Sequence, residues 1–97
     1  MSESTVVRER VLDLLRQFLV TTGRENPVVA DRTHLMNDLG LSSDEGIDFV
    51  LDLCDVFAVE FPMDFNPFVH ENGRRGRRFG EMVRAVQLHL TSLEVTT

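Results

Sequence analysis

The chain contains no lysine, no tryptophan and no tyrosine, and it has a single cysteine. A lone Cys54 excludes an intramolecular disulfide, and it also excludes a zinc site built on two or more thiolates. A reducing, cytoplasmic setting is the simplest interpretation of that count. The N-terminal segment has no basic stretch followed by an apolar run, so we predict no secretory signal. No apolar run is long enough to span a bilayer, so we also predict no membrane span.

What the chain does contain is enough apolar material for one core. Its 97 residues, of which 42% are hydrophobic, predict a single domain over residues 1–97 with one modest core. Seven phenylalanines supply all of the aromatic bulk.

Charge is distributed unevenly along the chain. The stretch from Thr33 to Gly73 holds nine acids and no arginine, whereas the remaining segments hold all ten arginines and seven acids. A middle third of one charge sign is a candidate surface for recognising a basic partner protein. The same acidity argues against nucleic acid as the main partner, because phosphates need cations opposite them.

Apolar residues recur at spacings of three and four in three segments, and this pattern predicts helices over residues 3–21, 43–58 and 79–91. One or two further helical turns could occupy residues 64–71. The sum is an all-α fold, a small three- to four-helix bundle.

The segments between these helices read as loops. In the loop 23–42 we expect Val28 and Val29 to tuck under the bundle. The arginine-rich stretch 72–78 predicts a flexible, solvated basic loop, although it could contact an anionic ligand or the acidic face of another copy. The tail from Ser92 is expected to fray.

The helix predicted over 43–58 carries both apolar and acidic residues in a regular order. We expect its buried face to consist of Ile47, Val50, Leu51, Cys54, Phe57 and Ala58, widened by Phe49, Leu53 and Val56. Four aspartates spaced by four, four and three residues form an acidic stripe, namely Asp44, Asp48, Asp52 and Asp55. The stripe could be a docking surface, or it could be an ordinary solvated helix face. Ser42 followed three residues later by Glu45 predicts a capping box at the start of this helix.

The segment Asp38-Leu39-Gly40-Leu41-Ser42-Ser43-Asp44 resembles the start of the second helix in acyl carrier proteins, where the pattern is Asp-Leu-Gly-x-Asp-Ser-Leu. Downstream, Phe57-Ala58-Val59-Glu60-Phe61-Pro62 looks like the end of that helix in the same family. The chain resembles most closely a divergent bacterial branch that has an aromatic-rich segment after helix 2. The resemblance implies an acyl-carrier-protein-like bundle. It aligns Ser43 with the serine that carries 4′-phosphopantetheine, and Glu45 and Asp48 with acids that meet basic patches on partner enzymes.

The residues on either side of Ser43 depart from the family pattern, and this leaves two hypotheses about whether Ser43 is modified. Ser42 stands where the family has aspartate, and Asp44 stands where it has leucine, and the transferases that load the prosthetic group read this neighbourhood. The first hypothesis is a binding module without a prosthetic group that docks basic protein surfaces through Asp44, Glu45, Asp48, Asp52 and Asp55. The alternative is a true acyl carrier of fatty acid or polyketide metabolism, with phosphopantetheine on Ser43.

An enzyme is the least favoured interpretation, because no acid, base and nucleophile set converges in the sequence. Cys54 falls in the middle of a predicted helix on its apolar face, which is typical of a buried structural thiol. His34, His70 and His89 lack the spacing of a metal site, so we predict no metal.

Overall fold

The computed structural model describes residues 3–24, 28–62, 64–70 and 72–95. This part of the chain contains three helices, α1 (Glu3–Thr21), α2 (Ser43–Phe57) and α3 (Phe79–Val95). It contains no strand, only the two isolated bridges that join His34 to Arg78 and Val69 to Gly76. The prediction of an all-helical bundle is therefore confirmed. No helix among these residues is long and apolar enough to cross a membrane.

α1 begins and ends at the residues that the sequence predicted. Gly23 follows the helix in the left-handed region, at a φ of 81°. Its N–H donates to the carbonyl of Val20 over 3.0 Å, and the Arg24 N–H donates to the carbonyl of Leu19 over 2.8 Å. These two bonds make a Schellman motif, and glycine suits it because its positive φ costs no Cβ strain.

The core is built by the helices together with the loops between them. α1 packs against both α2 and α3. Loop residues fill much of the remaining space, and Leu35, Leu41 and Phe68 are as deeply buried as the helical core residues. Val29 is buried as predicted, but Val28 is 90% exposed, so the prediction that it tucks under the bundle is wrong.

Three phenylalanine rings fasten α2 to α1 and to the segment that follows α2. The centroids of Phe18 and Phe49 lie 5.4 Å apart in an edge-to-face arrangement, and those of Phe49 and Phe68 lie 5.1 Å apart. Aromatic pairs at such separations contribute about 0.5–1.5 kcal/mol beyond the apolar area they bury. The cluster fixes which side of α2 faces the core.

Two further predictions fail near the C-terminal half. Residues 64–70 form turns without a helix, because the Asn66 side chain accepts the N–H of Phe68 over 3.0 Å and closes a local turn instead. The bundle therefore has three helices rather than four in the described residues. α3 continues to Val95, so residues 92–95 of the predicted frayed tail are helical, and residues 96–97 lie outside the described residues. Residues 25–27 of the predicted loop and residue 71 lie outside the described residues.

The segment that holds Arg74, Arg75, Arg77 and Arg78, hereafter the arginine loop, is not simply a solvated loop. Arg77 is only 7% exposed. Its guanidinium donates to the carbonyl of Asn66 over 2.9 Å and lies 5.3 Å from the ring centroid of Phe65. The basic stretch therefore contributes to the packing of the domain, which its composition did not indicate.

Candidate partner-docking face of helix 2

α2 begins with the capping box that the sequence predicted. The hydroxyl of Ser42 accepts the N–H of Glu45 over 3.1 Å, and the carboxylate of Glu45 accepts the N–H of Ser42 over 3.0 Å. Two backbone donors that the first turn of a helix leaves unpaired are thereby satisfied. The start of α2 is therefore held at Ser42, which places Ser43 at the first helical position.

Arg24, a residue that sequence reasoning missed, holds this helix start against the preceding loop. Its guanidinium donates to both carboxylate oxygens of Glu45, over 2.9 and 2.8 Å. It also donates to the carbonyls of Leu39 and Gly40, over 3.1 and 2.7 Å. The Arg24 hydrogen bond lowers the pKa of Glu45 against an opposing effect of burial. Glu45, predicted to meet a partner, is thus already engaged within the domain.

Ser43 is exposed at the first position of α2, and its hydroxyl has no hydrogen-bond partner among the residues that the structure describes. Its carbonyl accepts the side-chain N–H of Asn66 over 2.8 Å. That contact depends on Gly46, because a Cβ at this position would overlap the Asn66 side-chain amide. A glycine in the first turn of a helix, which costs up to about 1 kcal/mol relative to alanine, was the sequence signal for this close approach.

The aspartates of α2 line its open side. Asp44, Asp48 and Asp55 are exposed and Asp52 is half-buried. At 3.6 residues per turn the three exposed aspartates fall on one strip of the helix. None of the four forms an ion pair with any residue that the structure describes. Each therefore keeps an unneutralised carboxylate at the surface.

Two apolar residues share this open side, contrary to the predicted buried face. Ile47 is 58% exposed and Leu51 is 62% exposed, whereas Phe49 and Leu53 are fully buried. Apolar residues occupy well over half of the circumference of α2, so the sequence pattern did not determine which part of that arc would be covered. Among the described helices α1 alone packs against α2. Together with the Phe68 segment it covers Phe49 and Leu53, and Ile47 and Leu51 stay outside the covered arc.

We define the docking face as Asp44, Ile47, Asp48, Leu51 and Asp55. Ile47 and Leu51 lie one helical turn apart, on the strip that adjoins the three aspartates. The face therefore combines an apolar ridge with a row of negative charge. The hydrogen bonds of Arg24 to Glu45 and to the preceding loop, hereafter the Arg24 clamp, and the phenylalanine cluster fix the position of the helix that carries this face.

Other chemistry is sparse in this part of the molecule. Cys54 is half-buried in α2, so it is less buried than the structural thiol that the sequence predicted. No group of three histidine, cysteine or acidic side chains in the described part of the chain is arranged to hold a metal ion.

Comparison of the chain with family models, with curated proteins and with solved structures gave no match.

Proposed function

We propose that this chain is an acyl-carrier-protein-like binding module that docks a partner protein through the docking face of α2. The observation that carries the proposal is the exposure of Ile47 and Leu51 beside three aspartates that have no ion-pair partner among the described residues. The surface that complements this face has a shallow apolar patch bordered by arginine or lysine.

The two parts of the docking face have separate physical roles. Removing an apolar side chain from water stabilises a complex by about 25 cal/mol per Å² buried, so Ile47 and Leu51 are the expected source of affinity. The aspartates speed encounter with a basic surface and fix its orientation, and their effect weakens as salt rises. We therefore expect binding that is salt-dependent and that also requires the apolar pair.

Affinity capture with immobilised chain tests this proposal, provided that the variants are compared side by side. Asp48→Lys and Leu51→Ser are each expected to weaken retention of the partner by about tenfold or more. Asp13→Lys is the matched control, because Asp13 is an exposed helical acid of α1 that lies outside the docking face. A partner that is retained equally by all four proteins contradicts the proposal.

A second candidate function, a true acyl carrier, is favoured by one specific observation. Ser43 offers an exposed hydroxyl at the first position of a capped helix, where backbone N–H groups and the helix dipole stabilise a phosphodiester. Phosphopantetheine would be attached at Ser43, and the protein would present the arm without supplying an acid, base or nucleophile of its own.

Coexpression with a promiscuous phosphopantetheinyl transferase, followed by intact-mass measurement, distinguishes the two functions. A carrier gains the mass of one phosphopantetheine group, Ser42→Ala gains it as well, and Ser43→Ala does not. A wild-type chain that gains no mass excludes the carrier function and leaves the docking proposal standing.

A further inference from the structure

A groove with a volume of 460 Å³ lies between the start of α2 and the arginine loop. Its lining includes His34, Asn37, Ser43, Arg74, Arg75 and Gly76. The two isolated bridges, which join His34 to Arg78 and Val69 to Gly76, hold its walls together. The glycine is needed here, because a Cβ on Gly76 would come within 2.8 Å of the His34 ring and of the Met36 side chain.

The groove is cationic, and one of its arginines forms no ion pair with any described residue. Two arginines and one histidine line it, and no aspartate or glutamate does among the residues that the structure describes. The guanidinium of Arg75 is neutralised by Glu81, to which it donates two hydrogen bonds of 2.9 and 2.7 Å. Arg74 is exposed, and its guanidinium has no partner among the described residues. The groove therefore presents a positive charge that no described side chain balances.

Two further polar side chains of the groove, His34 and Ser43, can donate hydrogen bonds. The Nδ1 of His34 accepts the N–H of Asn37 over 3.0 Å, which leaves the ring proton on Nε2 as a donor in the neutral imidazole. Ser43 adds a hydroxyl at the positive end of α2. Donors carried by three separate segments suit an anion with several oxygens, such as a phosphate, better than a planar carboxylate.

We propose that this groove binds the phosphate group of a small phosphate ester, with the Arg74 guanidinium as its main counter-charge. The volume exceeds what a phosphate alone fills and lies in the range of small-molecule sites. The phosphate has two sources, a free phosphate ester or a phosphodiester attached to Ser43. Only the second source rests on the carrier function discussed above.

Titration of the full chain with inorganic phosphate and with 4′-phosphopantetheine, followed by amide NMR at constant ionic strength in chloride, tests the site. We expect saturable shifts that centre on Asn37, Ser43 and Gly76. Arg74→Ala should weaken binding about tenfold, the effect of losing a charge-assisted hydrogen bond. Arg16→Ala is the matched control, because it removes the same charge from an exposed position on α1 and should change binding by less than about twofold.

Three outcomes overturn the proposal. They are shifts that do not saturate, shifts that centre away from the groove, and equal weakening by Arg74→Ala and Arg16→Ala. The last would show that the overall charge of the chain, rather than the groove, attracts the phosphate.

Transferase treatment separates the two sources. A chain loaded on Ser43 that no longer binds free phosphate has its tethered phosphodiester in the groove. A chain that stays unloaded, yet binds 4′-phosphopantetheine with the Arg74 dependence, uses a free phosphate ester. Neither result depends on the partner-capture experiment, so failure of the docking proposal and failure of this one are distinguishable.

Discussion

α2 and the arginine loop carry opposite charge, and the domain uses the two regions in opposite ways. The aspartates of α2 are left without ion-pair partners among the described residues. In the arginine loop, Arg75 binds Glu81, Arg77 binds the carbonyl of Asn66, and Arg78 binds the carbonyl of Arg32. Arg74 is left over, and it is the arginine on which the proposed phosphate site depends.

The difference follows from where free backbone groups occur. Arginine side chains need acceptors, and turn segments such as 64–70 offer carbonyls that no helix has used. Carboxylates need N–H donors, and helices leave these free only in the first turn. Glu45 and Glu81 lie in the first turns of α2 and α3, where each accepts a backbone N–H. Asp48 and Asp55 lie further along α2 and can bind a partner.

The buried arginine should show the largest effect on stability. Arg77→Ala removes the donor to Asn66 and the packing of the guanidinium over Phe65, and we expect a loss of about 2–4 kcal/mol in the free energy of unfolding. Arg74→Ala, one turn of chain away, should change it by less than about 0.5 kcal/mol. Urea denaturation measures both free energies of unfolding. Equal losses would show that the buried Arg77 contributes no more to stability than the exposed Arg74.

The Arg24 clamp should come next. Arg24→Ala leaves two loop carbonyls and the carboxylate of Glu45 without their cation, and we expect a cost of about 2 kcal/mol. Arg16→Ala on α1 is the control and should cost almost nothing. Hydrogen exchange gives a second measure, because faster exchange should be confined to the loop before α2 and to its first turn. Exchange that rises uniformly would show that Arg24 serves overall stability alone.

The helices were predictable because their signals are local. Apolar spacing located α1 and α2 to within one residue, and Ser42 with Glu45 located the start of α2. The buried arc of α2 was not predictable, because it depends on Phe18 and Phe68, which lie far from Phe49 in sequence. Of the predicted docking residues, Asp44, Asp48 and Asp55 are exposed together, while Glu45 is engaged by Arg24 over 21 residues of chain, a contact that no local pattern encodes.

Glu81 lies in the first turn of α3. The hydrogen bond from Arg75, followed by that from the Arg78 backbone, lowers the pKa of Glu81 to about 2. A lowered folded-state pKa means that protonation favours the unfolded chain. The stability that Glu81 contributes is therefore present above its ordinary pKa of 4.5 and is lost as the pH falls towards 2.

Glu81→Gln keeps an acceptor for the Arg78 N–H but loses the charge that pairs with Arg75. It should accordingly lower the free energy of unfolding by about 1 kcal/mol at pH 6, and the difference from wild type should shrink by pH 2.5. Denaturation at the two pH values measures it. A difference that stays constant with pH would show that the carboxylate charge has no part in the effect.

The smallest expected change in stability comes from the exposed aspartates of the docking face, and its sign should differ between Asp44 and Asp55. Asp44 lies in the first turn of α2, where the helix dipole favours a negative charge, whereas Asp55 lies in the last turn, where the dipole opposes it. Asp44→Asn should therefore destabilise the domain, and Asp55→Asn should stabilise it, each by about 0.3 kcal/mol at low salt. Thermal unfolding at low and high salt resolves the two, since both differences should fade with screening. An Asp55→Asn variant that is more stable but weaker in partner capture would mean that this aspartate lowers stability and serves binding. A variant that is less stable would make Asp55 a structural residue and remove it from the docking face.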